Sequence, residues 1–275
     1  MAMNLSSALE VVTATDPGMV RSHNEDSIAT DGGMGLVVLA DGMGGYNAGE
    51  VASGIAVAML TSELRQALES SQVNTADESG TPLAVALIKD SAGKANTAIY
   101  QAAKSQPQYA GMGTTLVTAL FYDNHVAVGH IGDSRLYRLR GDSFEQITRD
   151  HSLLQEQIDS GMISKEQARY SQNKNLVTRA VGIDPEVETE IHTYEVEPGD
   201  IYLLCSDGLS DMVEDGDIHD TLCMLRTNLP LSAKQLVQLA NDNGGRDNIS
   251  VILVRVLGDY AVPSSWFSKL KAWFG

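Results

Sequence analysis

The sequence predicts an α+β fold, two stacked β-sheets with helices packed outside them, and three observations point there. Six short β-type runs cluster in blocks, the helical stretches come in two pairs, and strands do not alternate strictly with helices as in a doubly wound parallel sheet. The first run spans residues 36–40 and ends on an Asp-Gly turn signal. Residues 48–68 and 82–104 then carry apolar side chains at helical spacing, and the polar SSQVNTADESG between them reads as an exposed loop. A second block of β-type runs follows at residues 114–121, 126–131 and 136–139. After a further run at 201–205, residues 218–226 and 233–241 form the second helical pair, and 249–256 is the last strand. The stretch 150–182 is different in character: DHSLLQEQIDSG is helix-like, but the segment is too polar for core and is expected to be a surface insertion beside the site.

Composition narrows the function. Of 275 residues, 43% are hydrophobic and 20% charged, which excludes disordered, collagen-like and coiled-coil chains. The net charge of -17 repels nucleic acid and attracts cations. No apolar run reaches the roughly 18 residues of a membrane span, and MAMNLSSALEVV lacks the basic start of an export signal. A cytoplasmic protein without a transmembrane segment is therefore expected. Cys205 and Cys223 lie in apolar contexts and read as structural thiols of a reducing compartment. No internal repeat appears, so residues 9–257 are expected to form one domain, acting as a monomer, followed by a short aromatic tail at 258–275. In that tail Trp266, Phe267, Leu270, Trp273 and Phe274 are interleaved with Lys269 and Lys271, which suits docking on a partner or membrane or packing on the parent domain, and both readings stay open.

The chemistry is carried by acidic residues at strand ends. Asp41 follows GLVVLA, Asp133 follows AVGHIG, Asp207 follows YLLCS, and Asp247 precedes NISVILV. One such Asp is ordinarily a turn residue; four on apolar-flanked elements repel one another unless hard cations neutralise them. Oxygen donors, with few histidines and no paired cysteines, select Mg²⁺ or Mn²⁺ over Zn²⁺. Gly42, in ADGMGG, can offer its carbonyl. Upstream, DPGMVRSHNED places Arg21 near Glu25 and Asp26, either as an ion-pair partner of those carboxylates or as a fork for a phosphate lying over the cations. No Cys-x5-Arg loop is present, which disfavours a phosphocysteine route.

Six motifs in order, D-x-G-x-x-R-x-x-N-E-D from Asp16, DGMGG from Asp41, MGTT from Met112, GDSR from Gly132, SDGL from Ser206 and RDN from Arg246, resemble the signatures of the bacterial metal-dependent protein phosphatases of type 2C. The resemblance covers residues 9–256. It implies a four-layer α-β-β-α sandwich, two antiparallel sheets flanked by helix pairs, with 150–182 as a flap. It also implies a Ser/Thr protein phosphatase that opposes a bacterial Ser/Thr kinase and hydrolyses phosphoserine or phosphothreonine by direct attack of a metal-bridging water. On that pattern Asp41 bridges two ions with the Gly42 carbonyl on the second, Asp207 and Asp247 hold the first, and Asp133 joins Asp207 at a weaker third site. Glu25, Asp26 and Asn248 form the surrounding shell, and Arg21 holds the substrate phosphate. Met43 departs from the His of eukaryotic members and cannot protonate a leaving alkoxide. Ser171 and Gln172 stand where many relatives have His-Pro, and His151 reads as a structural hydrogen bond at the flap base. Among proteobacterial relatives the resemblance suggests the kinase and phosphatase pair of type VI secretion. A non-catalytic or partner-switching regulator with the same fold is the alternative, and a nuclease-type two-metal hydrolase is disfavoured because no basic track is visible.

Overall fold

A five-stranded and a six-stranded antiparallel sheet follow directly from where the apolar side chains point. The structure is a computed structural model that describes residues 4–45, 48–70, 82–168 and 176–262. Strands β1 (Leu9–Asp16), β2 (Asp26–Asp31) and β3 (Leu36–Met43) lead into helices α1 (Ala48–Ser70) and α2 (Leu83–Ser105). Next come β4 (Gly113–Thr114), β5 (Leu116–Tyr122), β6 (His125–Ile131), β7 (Arg135–Arg140), β8 (Ser143–Gln146), and the short helices α3 (Leu153–Asp159) and α4 (Lys165–Ala168). The chain closes with β9 (Glu190–Glu195), β10 (Ile201–Cys205), α5 (Asp207–Ser210), α6 (Asp215–Met224), α7 (Leu229–Asp242) and β11 (Ile249–Val256). One sheet runs β1-β11-β10-β7-β8; the other runs β2-β3-β5-β6-β9, with the two-residue β4 beside β3.

The central strands read as unbroken apolar runs because both of their faces are covered. In β3, Val37 and Leu39 point into the layer between the sheets, while Leu36, Val38 and Ala40 point to α1 and α2. In β10, Tyr202 and Leu204 face the other sheet, and Ile201, Leu203 and Cys205 face α6 and α7. The result is the expected four-layer sandwich. Helix α1 presents Ala52, Ala56, Leu60 and Leu64 at four-residue steps, so small side chains let its first half approach the sheet closely. Helix α7 is started by Asn228, whose side chain accepts the Leu231 amide at 3.2 Å, with a proline in the first turn.

Two expectations are corrected. The run at 114–121 is broken at Thr115, whose amide turns aside to donate to the Asp41 carbonyl at 2.8 Å. The polar 150–182 segment is not wholly outside the core: Val181 is fully buried against α1 and α2 and bridges Thr114, and Ser152 bridges Val177. Apolar Val181 is the nail that fixes an otherwise polar strap. Ser171, Gln172 and Asn175 lie outside the described residues, as do the tail residues beyond 262, including Trp266, Phe267, Lys269, Leu270, Lys271, Trp273 and Phe274.

Candidate active site

Every acidic residue singled out in the sequence sits at the same end of the sandwich. Asp26 opens β2 and Asp41 lies near the end of β3, and the register places them directly opposite each other. Cys205, two residues before Asp207, pairs with Val251, four residues after Asp247, so the end of β10 and the start of β11 carry their aspartates side by side. Asp133 lies in the β6–β7 turn, and Arg135 at the start of β7 pairs with Cys205. The topology thus gathers groups from positions 26 to 247 in the chain.

Two close backbone approaches make that gathering possible. A Cβ on Gly42 would lie 2.1 Å from the Gly49 carbonyl oxygen, and one on Gly208 would lie 1.9 Å from the Asn248 carbonyl oxygen. Glycine at 42 seats the β3 end on the α1 start; glycine at 208 seats Asp207 beside Asp247. Asn248 then ties the preceding loop to β11: its Oδ1 accepts the Glu25 amide at 2.7 Å, and its Nδ2 donates to the carbonyls of Pro17 at 3.0 Å and His23 at 2.8 Å. Arg21 rides on that loop. Its guanidinium pairs with Asp247 at 2.7 Å, rather than with Glu25 or Asp26, and remains about half exposed at the rim of the site.

The carboxylates are electrostatically frustrated. Burial, and then the charges of Asp26, Asp207, Asp133 and Asp247, push Asp41 well above the usual carboxylate range. Asp207 is pushed up likewise, by burial first and then by Asp133, Asp211 and Asp247. Burial raises Asp26 to about 7 and Asp133 to about 6, and raises Glu25 as well. Asp26 is only partly buried as a residue, yet its Oδ1 is closed to solvent and has no hydrogen-bond partner, while its Oδ2 accepts the Ser206 hydroxyl at 2.8 Å. A buried acceptor left bare beside raised carboxylates is the signature of a place for positive charge. The donor set is entirely oxygen, which fits Mg²⁺ or Mn²⁺.

Hydroxyls hold the acids in place, and these the sequence reading passed over. Thr114 Oγ1 donates to the Asp41 carbonyl at 2.8 Å, Thr115 Oγ1 accepts the Asp41 amide at 3.0 Å, and Thr115 and Ser134 share a hydrogen bond of 2.7 Å. Ser206 Oγ accepts the Ser250 amide at 3.0 Å, and the Ser250 hydroxyl meets Thr15 Oγ1 at 2.8 Å. Thr114, Thr115, Ser134 and Ser206 carried a signal in their place inside the MGTT, GDSR and SDGL motifs, whereas Thr15 and Ser250 lie outside them. Beside the acids opens a cavity of ≈ 490 Å³ whose lining includes Asp133, Asp207, Asp211, Arg135, Asp150 and Gln155. Arg135 is locked there by Asp150, which it meets through Nε at 3.0 Å and Nη2 at 2.7 Å. The trio His130, His151 and Glu190 stands apart, its candidate ligand atoms within 4.8 Å of one another.

Comparisons with known proteins place this geometry. The profile of the protein phosphatase 2C family matches residues 20–243. The serine/threonine phosphatase stp of Listeria innocua is 39% identical over 243 residues, covering 87% of this chain and 93% of that protein. The catalytic domain of the serine threonine protein phosphatase PstP, solved in complex with two manganese ions, superposes with a TM-score of 0.80 at 37% identity, over 91% of this chain and 99% of that one. PppA of Pseudomonas aeruginosa, described as a key regulatory component of T6SS, superposes with a TM-score of 0.78 at 34% identity, over 91% of this chain and 98% of that one.

Proposed function

The chain belongs to the protein phosphatase 2C family and is a metal-dependent serine/threonine phosphatase, and we propose that Asp41, the Gly42 carbonyl, Asp133, Asp207 and Asp247 hold its cations. The observation that carries this assignment is the frustration of the site, where Asp41 and Asp207 are pushed far above the usual range by burial and by each other's neighbours. Two Mn²⁺ or Mg²⁺ ions, with a weaker third at Asp133 and Asp207, lower the pKa of water and offset phosphoryl charge when bound.

The protein's own groups supply position. Arg21 presents a planar fork at the rim, suited to two oxygens of a phosphate monoester. Asn248 fixes the loop that carries it, so the guanidinium is aimed rather than free to wander. Glu25 and Asp26 face the cation site as acceptors that orient water, with Ser206 holding one oxygen of Asp26. The Cys205 thiol is fully buried and pushed up to about 12, so it offers no nucleophile, in keeping with the direct attack by water that we propose. Met43 carries no transferable proton, and protonation of the leaving oxygen falls to another group.

Substrates are phosphoproteins, and we place the enzyme opposite a Ser/Thr kinase in the cytoplasm, with the T6SS setting suggested by the likeness to PppA as the first to test. Among the described residues no helix is long and apolar enough to cross a membrane. Residues 9–257 are assigned as the catalytic domain, 150–182 as its flap and 258–275 as a tail, in a monomeric enzyme.

The deciding experiment is release of phosphate from a phosphothreonine peptide and from p-nitrophenyl phosphate by metal-stripped protein titrated with Mn²⁺ and Mg²⁺, beside Asp207→Ala. Turnover that appears with metal and is lost in the variant is expected. A wild type that binds both metals and stays inactive would overturn catalysis in favour of a regulatory role for the same fold.

A further inference from the structure

A second cluster of titratable groups lies on the other side of the Asp133 turn, and it bears on the same site. His151, between β8 and α3, grips Gly132 at two points. Its amide donates to the Gly132 carbonyl at 2.9 Å, and the Gly132 amide donates to its Nδ1 at 3.1 Å. Its carbonyl accepts the Thr178 amide at 2.8 Å, which joins the two ends of the flap segment. The ring stacks on His130 at 4.6 Å with 11° between planes. With Nδ1 accepting from Gly132, the proton of neutral His151 is on Nε2, which donates toward Glu190 Oε2 at 3.2 Å, and Arg179 Nη1, 3.2 Å from the same nitrogen, then makes no hydrogen bond to it. Glu190 in turn accepts from His192 Nε2 at 2.9 Å.

The short distances among His130, His151 and Glu190 could be taken for a metal site, and the geometry argues against it. Nearly parallel stacked rings send their lone pairs along parallel planes that no single ion can share. His130 Nε2 is engaged by the Arg149 carbonyl at 2.8 Å, His151 Nδ1 by Gly132, and Arg179 Nη1 lies 3.2 Å from His151 Nε2, where its charge repels a cation. Burial first, and Arg179 alongside, hold His151 below the ordinary imidazole range, and burial does the same to His130, so both resist protonation more than a free imidazole does.

We infer that His151 is a positioning residue, whose Nδ1 holds the Gly132 amide and thereby sets the turn that carries Asp133 into the cation site. The inference rests on the assignment of Asp133 to cation binding. It also gives the flap a mechanical connection to that turn, since the residue that clasps Gly132 through its ring holds Thr178 through its backbone.

The test separates the ring's two nitrogens. Asparagine at 151 keeps an acceptor near the Nδ1 position, glutamine keeps a donor near the Nε2 position, and phenylalanine keeps only the stacking and size. His151→Asn is expected to leave the Gly132 amide protected from hydrogen exchange. His151→Gln and His151→Phe should raise its exchange about tenfold and weaken the lowest-affinity Mn²⁺ site by about as much in calorimetry, the loss of one hydrogen bond. In those two variants kcat should fall while KM for a phosphopeptide is unchanged. Equal Gly132 protection in all three variants, or Phe as the best-tolerated replacement, would overturn the inference in favour of simple packing. Asp133→Asn is the control for the underlying assignment. If it leaves weak Mn²⁺ binding intact, Asp133 is not a ligand, while Gly132 exchange still judges the clasp. Wild-type protein gives a check free of folding defects, because the ¹⁵N shift of His151 Nδ1 at neutral pH must be that of an unprotonated nitrogen, and a protonated one would refute the clasp.

Discussion

Replacing Asp26 by Asn removes one charge of the crowded site, that of the carboxyl opposite Asp41, and exposes what the arrangement costs the fold. Burial raises this carboxyl from the ordinary 3.8 to about 7, and the charges of Asp247 add to the rise. At 1.36 kcal/mol per pH unit, carrying that charge in the folded, metal-free protein above pH 7 costs up to about 4 kcal/mol. The sign is fixed by proton counting. Between about pH 3.9 and about pH 7 the folded chain keeps a proton that the unfolded chain releases, so the stability from this group is greatest in acid and is lost as pH rises through 7. Asn is uncharged at every pH, and its amide can donate where Oδ1 now has no partner. Asp26→Asn should therefore be more stable than wild type in EDTA at about pH 8, by several kcal/mol, and the gain should fall to about 1.5 kcal/mol at about pH 5 and vanish only below about pH 4. Denaturant unfolding with EDTA and with Mn²⁺ measures it, and Mn²⁺ should stabilise wild type more than the variant. A variant no more stable than wild type in EDTA at the higher pH would refute the reasoning.

The remaining tests address single roles. Asp41→Ala and Asp207→Ala should abolish turnover while circular dichroism shows a folded protein, and retained turnover in either would remove it from the cation set. Arg21→Ala should raise KM for phosphate esters about tenfold or more, since the guanidinium holds ground-state oxygens, and unchanged kinetics would exclude that contact. Gly208→Ala forces a Cβ to 1.9 Å from the Asn248 carbonyl, so about 1–3 kcal/mol of stability and most of the activity should be lost; a neutral outcome would show that Asp207 and Asp247 tolerate separation. With His130 held below the ordinary imidazole range by burial, the unfolded chain takes up a proton near about pH 6.5 that the folded chain refuses. Stability from that group is therefore lost as pH falls, and wild type should lose melting temperature on acidification more steeply than His130→Phe.

What the sequence disclosed and what it hid divide along one physical line. All the strands read correctly from the chain, β3, β5, β6, β7, β10 and β11, are interior to their sheets, so buried apolar side chains mark each of them, even β7, where Arg135, Arg138 and Arg140 are interleaved with Leu136, Tyr137 and Leu139. The four that escaped, β1, β2, β8 and β9, are the outermost strands. Their sequences, LEVVTATD, DSIATD, SFEQ and EIHTYE, mix polar side chains into half-solvated edges, as exposed edges must to discourage pairing with other chains. That is why the aspartates at 41, 133, 207 and 247 were legible, each attached to a buried interior strand or its turn, while Asp26 was known only from its motif. Its β2 is an edge strand with no apolar signature of its own.

The supporting hydroxyls and the His151 clasp were illegible for a different reason. The Thr115 and Ser206 hydroxyls act through the backbone amides of Asp41 and Ser250, brought near by register, and His151 acts through the amide of Gly132, nineteen positions earlier in the chain. A composition or spacing argument sees only side-chain chemistry, and these groups pair with the main chain. The same fact predicts where substitution hurts most. Exchanging Thr115 for Val keeps volume and β-branching but strips the acceptor from the Asp41 amide and the partner from Ser134. Both groups lie in a site already short of compensating charge. Thr115→Val should lower stability by about 1–3 kcal/mol and weaken Mn²⁺ binding, whereas Thr118→Val, which loses a bond to the Val37 carbonyl away from the acids, should lower stability alone. Calorimetric Mn²⁺ affinity separates the two, and equal affinities would mean that the hydroxyls support the strands rather than the aspartates.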